Sequence, residues 1–173
     1  MTAVGFGMPW RRWIVAGIGA VGMAFLTIRP HVPLIIYNAS PSAPVGFYRV
    51  LPAGAIERGT LILVRMPDDM RELAATRDYV PATVPLVKRV AARAGDRVCL
   101  DGDAVMIDGR HVADRRRVDA KGRDMPAWRA CRLLGRDEIF VLMEDVPDSF
   151  DSRYFGPVSA SAVIGRLVPL RLD

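Results

Sequence analysis

Three side chains in this sequence can be combined into a nucleophile with its own base: Ser40, Ser42 and Lys88. The serines stand two apart in Asn38-Ala-Ser-Pro-Ser-Ala-Pro-Val-Gly-Phe-Tyr48. Pro41 and Pro44 lock φ and remove backbone donors around them. Gly46 permits a close turn. The expected result is a stiff, exposed segment that aims hydroxyls outward from a defined path. A Ser/Pro-rich linker has the same composition, because these residues punctuate loops generally. Hydrolysis by serine needs a proton acceptor, and neither histidine is well placed. His31 adjoins an apolar stretch, and His111 sits beside a predicted hairpin turn. A serine–lysine pair is an attested solution to the same problem. Lys88 lies within Val84-Pro-Leu-Val-Lys-Arg-Val-Ala91. Strand alternation puts it on the face of Leu86 and Val90, with Arg89 opposite. One of these adjacent cations must face the interior or a groove. A lysine there has its pKa pushed down, as a general base requires. The alternative is a solvated lysine, with Arg89 snorkelling at an edge. The backbone N–H of Ser42 and the hydroxyl of Ser40 could hold an oxyanion, at about 3–4 kcal/mol for each donor.

The elements that must position these groups follow from composition and order. With 173 residues, 51% of them hydrophobic, the chain can build one domain plus a short appendage, and disorder is a poor description. The net charge of +5 suits an anionic surface. The basic residues are dispersed, apart from Arg115–Arg117, and no RNP-like aromatic motif or zinc-finger spacing accompanies them. Nucleic acid is therefore not an expected partner. Cys99 and Cys131 form no CxxC, so neither a metal nor a cofactor is expected. Outside the cytoplasm they would form a disulfide, and inside it they would be two small buried hydrophobes.

Trp13 to Ile28 carries no charge, follows Arg11 and Arg12, and is closed by Arg29. It reads as a single uncleaved transmembrane anchor over 13–30, with 1–12 cytoplasmic and 31–173 outside the plasma membrane. A cleaved signal peptide lacks a convincing A-x-A site. The glycines of Gly17-Ile-Gly-Ala-Val-Gly22 match GxGxxG, but no acid follows at the distance a dinucleotide site needs. Beyond the serine segment, strands are expected at Phe47–Leu51, Thr60–Met66, Val84–Ala92, Val105–Val112 around Asp108-Gly109, Glu138–Met143 and Ser161–Pro169, with a turn at Gly95-Asp96 before Arg97–Leu100. One short helix is expected from Asp68 through Thr76, with acids in its first turn. Asp114 to Ala127 is polar and reads as a surface excursion. The class is a mainly β, antiparallel body with little helix.

Three boxes stand in a telling order: Ser40-Pro-Ser-Ala-Pro44, then Val87-Lys-Arg-Val90 with Gly95-Asp96, then Asp148-Ser-Phe-Asp-Ser-Arg-Tyr-Phe-Gly-Pro157. This arrangement resembles the type I signal peptidases. The Asn38-x-Ser-x-Ser-x-Pro-x-Gly-x-Tyr48 form is most similar to their conjugal-transfer, TraF-type branch. The resemblance implies Ser42 as acylating nucleophile, Lys88 as general base and Ser40 as oxyanion donor. It implies Ser149 as the residue that orients the lysine, and Asp151 with Arg153 as an ion pair supporting the last loop. It also implies a signal-peptidase-type β body, with an exported precursor and membrane lipid as partners. A strand-built enzyme can bind an extended precursor as an added strand, with Pro41, Val84, Pro85, Leu86 and Val87 as candidate walls. A single residue, Ala43, separates Ser42 from Pro44, where the general secretory enzymes have two. There is also a small insert and no large second domain. These departures point to a dedicated substrate such as a pilin precursor, and some relatives cyclise theirs. The competing expectation is a non-catalytic, membrane-tethered β module that assists pilus or secretion-apparatus assembly.

Overall fold

The computed structural model describes residues 33–128 and 130–170. The expected cytoplasmic segment and anchor, residues 1–30, and His31 lie outside the described residues. Among the described residues, no helix is long and apolar enough to cross a membrane.

The chain forms strands β1 (Ile35–Asn38), β2 (Gly46–Leu51), β3 (Leu61–Val64), β4 (Leu86–Ala92), β5 (Arg97–Asp101), β6 (Ala104–Ile107), β7 (Arg110–Asp114), β8 (Cys131–Leu133), β9 (Glu138–Leu142), β10 (Val158–Ser159) and β11 (Val163–Pro169). Among the described residues, two α-helices accompany them, α1 (Asp68–Thr76) and α2 (Ser152–Phe155). A seven-stranded sheet has the order β1-β2-β11-β3-β4-β9-β10, and a four-stranded sheet the order β7-β6-β5-β8. The pairings are antiparallel, as the sequence led us to expect.

β3, β4 and β9 lie inside the large sheet, and both their faces are covered. This is why they read as nearly unbroken apolar runs rather than as alternating ones. In β9, Ile139 and Val141 pack with Ile62, Val64, Leu86 and Val90 on one face. Phe140 and Leu142 pack on the other, with Val98, Val105 and Ile107 of the small sheet. A bulge between Val90 and Ala92 of β4 shifts its pairing with β9. Ala92 consequently joins the second cluster although Val90 belongs to the first. A third cluster joins Ala43 of the serine segment to Tyr48, Val50, Leu63, Val87 and Leu167.

The observed strands are shorter than expected where proline intervenes. Val84 and Pro85 precede β4, and the Val84 N–H turns back to Pro81 O at 2.9 Å. The helix is as expected: Asp68 and Asp69 open α1, where carboxylates complement the dipole. The excursion after β7 departs from expectation. It holds one isolated bridge, Val118 to Asp124, and it is fastened to the body. Arg77 Nη1 donates to Asp124 O at 2.7 Å, and Tyr79 Oη donates to Asp119 Oδ2 at 2.5 Å. Trp128 sits so close to Gly156 that a Cβ there would meet its indole at 2.4 Å. Gly156 also has φ 75°, so glycine is required twice over.

Cys99 and Cys131 occupy opposed positions on β5 and β8 and form a disulfide. It closes a loop with a sequence separation of 32. A loop of that length is worth about 3–4 kcal/mol by chain entropy. Thiol titration of the unfolded, unreduced protein should find no reactive thiol. Replacing both cysteines by alanine should lower stability by about that amount in denaturant unfolding.

Candidate active site

The serine segment is a closed loop. Asn38 of β1 pairs with Gly46 of β2 at its base, and its interior is held by side chains because no ladder can reach it. Asn38 is 6% exposed. Its Nδ2 donates to Ser40 O at 2.9 Å and to Ala43 O and Pro44 O at 3.1 Å each, while its Oδ1 accepts from the Ser40 N–H at 3.2 Å. Tyr48 Oη donates to Pro44 O at 2.6 Å. On this frame the Ser40 and Ser42 hydroxyl oxygens lie 2.9 Å apart, and the Ser42 N–H donates to Ser40 Oγ at 3.3 Å.

Lys88 projects from β4 into this loop and is 3% exposed. Its Nζ lies 3.2 Å from Ser42 Oγ and 2.8 Å from Ser149 Oγ. A neutral amine fits both contacts: its lone pair accepts the Ser42 proton, and an N–H donates to Ser149. Burial pushes the Lys88 pKa down to about 8, against the pull of the Asp151 carboxylate, with Arg153 reinforcing the drop. The fall from 10.5 corresponds to about 3 kcal/mol against the charged form.

Ser149 is also buried, and it precedes a loop built around one ion pair. Asp151 and Arg153 have side chains 0% and 1% exposed. Arg153 Nε donates to Asp151 Oδ1 at 2.8 Å, and Nη2 to Oδ2 at 3.1 Å. The three remaining donors reach Met143 O at 2.8 Å, Asp114 O at 3.1 Å and Pro147 O at 3.3 Å. Asp151 also accepts from the Met143 and Arg153 N–H groups. All five guanidinium donors are therefore satisfied, the condition under which a buried pair is tolerated.

A groove of about 630 Å³ runs past these groups. Its walls include Ile36, Leu63, Val84, Pro85, Leu86 and Val87, and the Arg116–Asp119 part of the excursion closes another side. Arg116 Nε and Asp148 Oδ1 form an ion pair at its rim, 2.9 Å apart.

The profile described as "Signal peptidase, peptidase S26" matches residues 8–170. The chain belongs to the S26 signal peptidase family. A plasmid transfer protein TraF from Escherichia coli is 29% identical over 166 residues, which is 87% of this chain and 90% of that protein. A probable conjugal transfer protein TraF from Sinorhizobium fredii is 34% identical over 142 residues, covering 74% and 72% respectively. A solved signal peptidase I from Enterococcus faecalis aligns at 20% identity and a TM-score of 0.38, over 67% of this chain and 99% of that one.

Within this chain, the fold gathers Ser40, Ser42, Lys88 and Ser149 at hydrogen-bond distances and sets Asp151 and Arg153 behind them. Val84 to Val87 line the groove, but Pro41 does not: it is exposed outside the groove. The Cys99–Cys131 bridge belongs to the small sheet and takes no part in the groove. His111 is exposed and bonds Asp114. Reading the sequence missed Asn38 and Tyr48 as the frame of the serine loop, though both were quoted in its motif. It also missed the excursion as a groove wall, since polar composition gives no sign of what a loop leans against.

The folded pKa of Lys88 is below its unfolded value, so the native state binds fewer protons between pH 8 and 10.5. Wild-type stability should therefore rise relative to Lys88→Met across that window. The burial cost is fully present below pH 8, so the variant should be the more stable by up to about 3 kcal/mol at pH 6. Paired urea titrations at pH 6 and pH 10.5 measure the difference. Arg153→Met should cost about 3–5 kcal/mol in the same assay, because it strands the Asp151 carboxylate.

Proposed function

We propose that this protein is a membrane-anchored serine–lysine endopeptidase that removes the leader peptide from an exported precursor, a conjugative pilin precursor being the candidate substrate. The observation that carries the reading is the buried Lys88 amine, within 3.2 Å of Ser42 Oγ and held from its other side by Ser149. Ser42 Oγ attacks the scissile carbonyl carbon while Lys88 Nζ takes its proton. The oxyanion is received by the Ser42 N–H and the Ser40 hydroxyl. In the free protein Ser40 Oγ accepts from that same N–H, so substrate must displace it, and Ser40 then turns from acceptor to donor. Collapse of the tetrahedral species breaks the peptide bond, and Lys88 returns its proton to the leaving amine. Water, deprotonated by Lys88, then cleaves the acyl ester.

Precursor binding as an added strand suits the local topology. β4 pairs with β3 from Leu86 to Arg89 but meets β9 only from Arg89 onward. Among the described residues, the Leu86–Lys88 stretch therefore has no strand neighbour on its β9 side, facing the groove. Two observations support a site at the bilayer surface. The uncharged stretch Trp13–Ile28 precedes β1 in the sequence. The outer face of β1, β2 and β11 exposes Ile35, Tyr37, Phe47 and Val168, with Arg49 paired to both Ile35 and Val168. The names of the TraF relatives are the reason for preferring a conjugation substrate over a general secretory one.

Ser42→Ala and Lys88→Ala should each lower precursor cleavage by roughly 10³-fold or more, with circular dichroism and the disulfide unchanged. Cleavage at the wild-type rate in either variant would refute the pair and favour the non-catalytic assembly module. The wild-type kcat/KM should climb with a midpoint near pH 8, set by Lys88, and level off above it.

A further inference from the structure

We propose that Asn38 is a positioning residue for the reaction, acting through the serine loop to hold the Ser40 hydroxyl and the Ser42 N–H in register for the oxyanion. The inference rests on the serine–lysine reading above and adds a residue to it. Asn38 touches neither Lys88 nor a hydroxyl of the pair. It bonds the backbone on both sides of Ser42: the Ser40 N–H and Ser40 O before it, and Ala43 O and Pro44 O after it. The Ala39–Val45 loop makes only one backbone hydrogen bond within itself, Ala43 N to Ser40 O, and that is long at 3.4 Å. The side-chain amide is thus the principal tie across the loop.

The amide orientation is dictated by its surroundings. Three carbonyl oxygens face Nδ2, and one N–H faces Oδ1, so a flipped amide would oppose like groups on every side. Two N–H bonds serve three carbonyls, which pulls Ser40 O, Ala43 O and Pro44 O toward one point. Ser42 lies between those carbonyls in the chain, so its N–H has one direction left, toward Ser40 Oγ at 3.3 Å. Oxyanion stabilisation depends on donors fixed before charge develops. A loop free to relax by an ångström loses that advantage while leaving the groove walls in place. Tyr48 braces the same loop from outside through Pro44 O, so loss of Asn38 loosens the loop without unfolding it. Pro44, Gly46 and Tyr48 then share one logic in the motif: fix the loop exit, let it turn at φ 151°, and hold its carbonyl.

The test is steady-state cleavage of a leader-peptide substrate by Asn38→Ala, Asn38→Asp and Ser42→Ala, each in the full chain, with thermal unfolding of each. For Asn38→Ala we expect kcat to fall ten- to a hundredfold, KM to stay within twofold, and the midpoint near pH 8 to be retained because Lys88 is untouched. Asn38→Asp keeps the acceptor for the Ser40 N–H but opposes a carboxylate to three carbonyls, and should be impaired at least as much. Wild-type kcat in Asn38→Ala, or a loss accounted for by the unfolded fraction at the assay temperature, overturns the proposal. So does wild-type activity in Asn38→Asp. The Ser42→Ala arm separates the levels: cleavage there at the wild-type rate removes the serine–lysine reading itself, whereas a Ser42→Ala impaired by roughly 10³-fold or more beside a fully active Asn38→Ala removes only the role of Asn38.

Discussion

The structure depends on keeping one amine out of water. Lys88 is the third residue of β4, a central strand, and its alternation partners Leu86 and Val90 belong to the main hydrophobic cluster. Two effects act on its charge. Desolvation disfavours the ammonium, and the Asp151 carboxylate favours it, but Asp151 spends its field on Arg153, whose guanidinium pushes in the opposite sense. Desolvation wins because it is the largest of these effects, and Arg153, in bidentate contact with the carboxylate, adds to it. The ion pair behind the site acts on the amine in two opposed senses and braces the loop.

Around that amine the fold faces a general difficulty. The groups that flank the groove sit on loops, and loops have no ladder to satisfy their backbone. Three short acid or amide side chains solve it in the same way. Asn38 gathers the polar groups of the serine loop. Asp151 accepts the Met143 and Arg153 N–H groups beside Ser149. Asp119 accepts the Lys121 and Arg123 N–H groups in the excursion. Asn and Asp are suited to this because their polar atoms sit one carbon from the backbone and reach nearby peptide groups with little entropy to lose. Each hub fixes one side of the groove, and none needs a regular element to do so.

The small sheet contributes by restraint. Arg153 bonds the carbonyl of Asp114, the last residue of β7. Trp128, just before β8, seats on Gly156, immediately after α2. The C-terminal part of the catalytic-side loop, from Arg153 to Gly156, is thus held by segments next to the four-stranded sheet. The disulfide ties β5 to β8 within that sheet.

Much of this was legible in the sequence. The antiparallel class, α1, the Asp108-Gly109 hairpin and the pairing of Lys88 with the serine segment follow from patterns local to a few residues: alternation, turn chemistry, and a cation lodged in an apolar run. Such signals are short-range, so one chain suffices to read them. What tertiary structure alone decided was long-range. It put Ser149 within 2.8 Å of Lys88, the contact that the family resemblance implied, and it showed that Pro41 lies exposed outside the groove while the polar excursion walls it, and that Asn38, the last residue of β1, is also a buried hub. Those facts depend on which loops converge over β4. Convergence is set by the register of strands far apart in the chain, which no local pattern encodes.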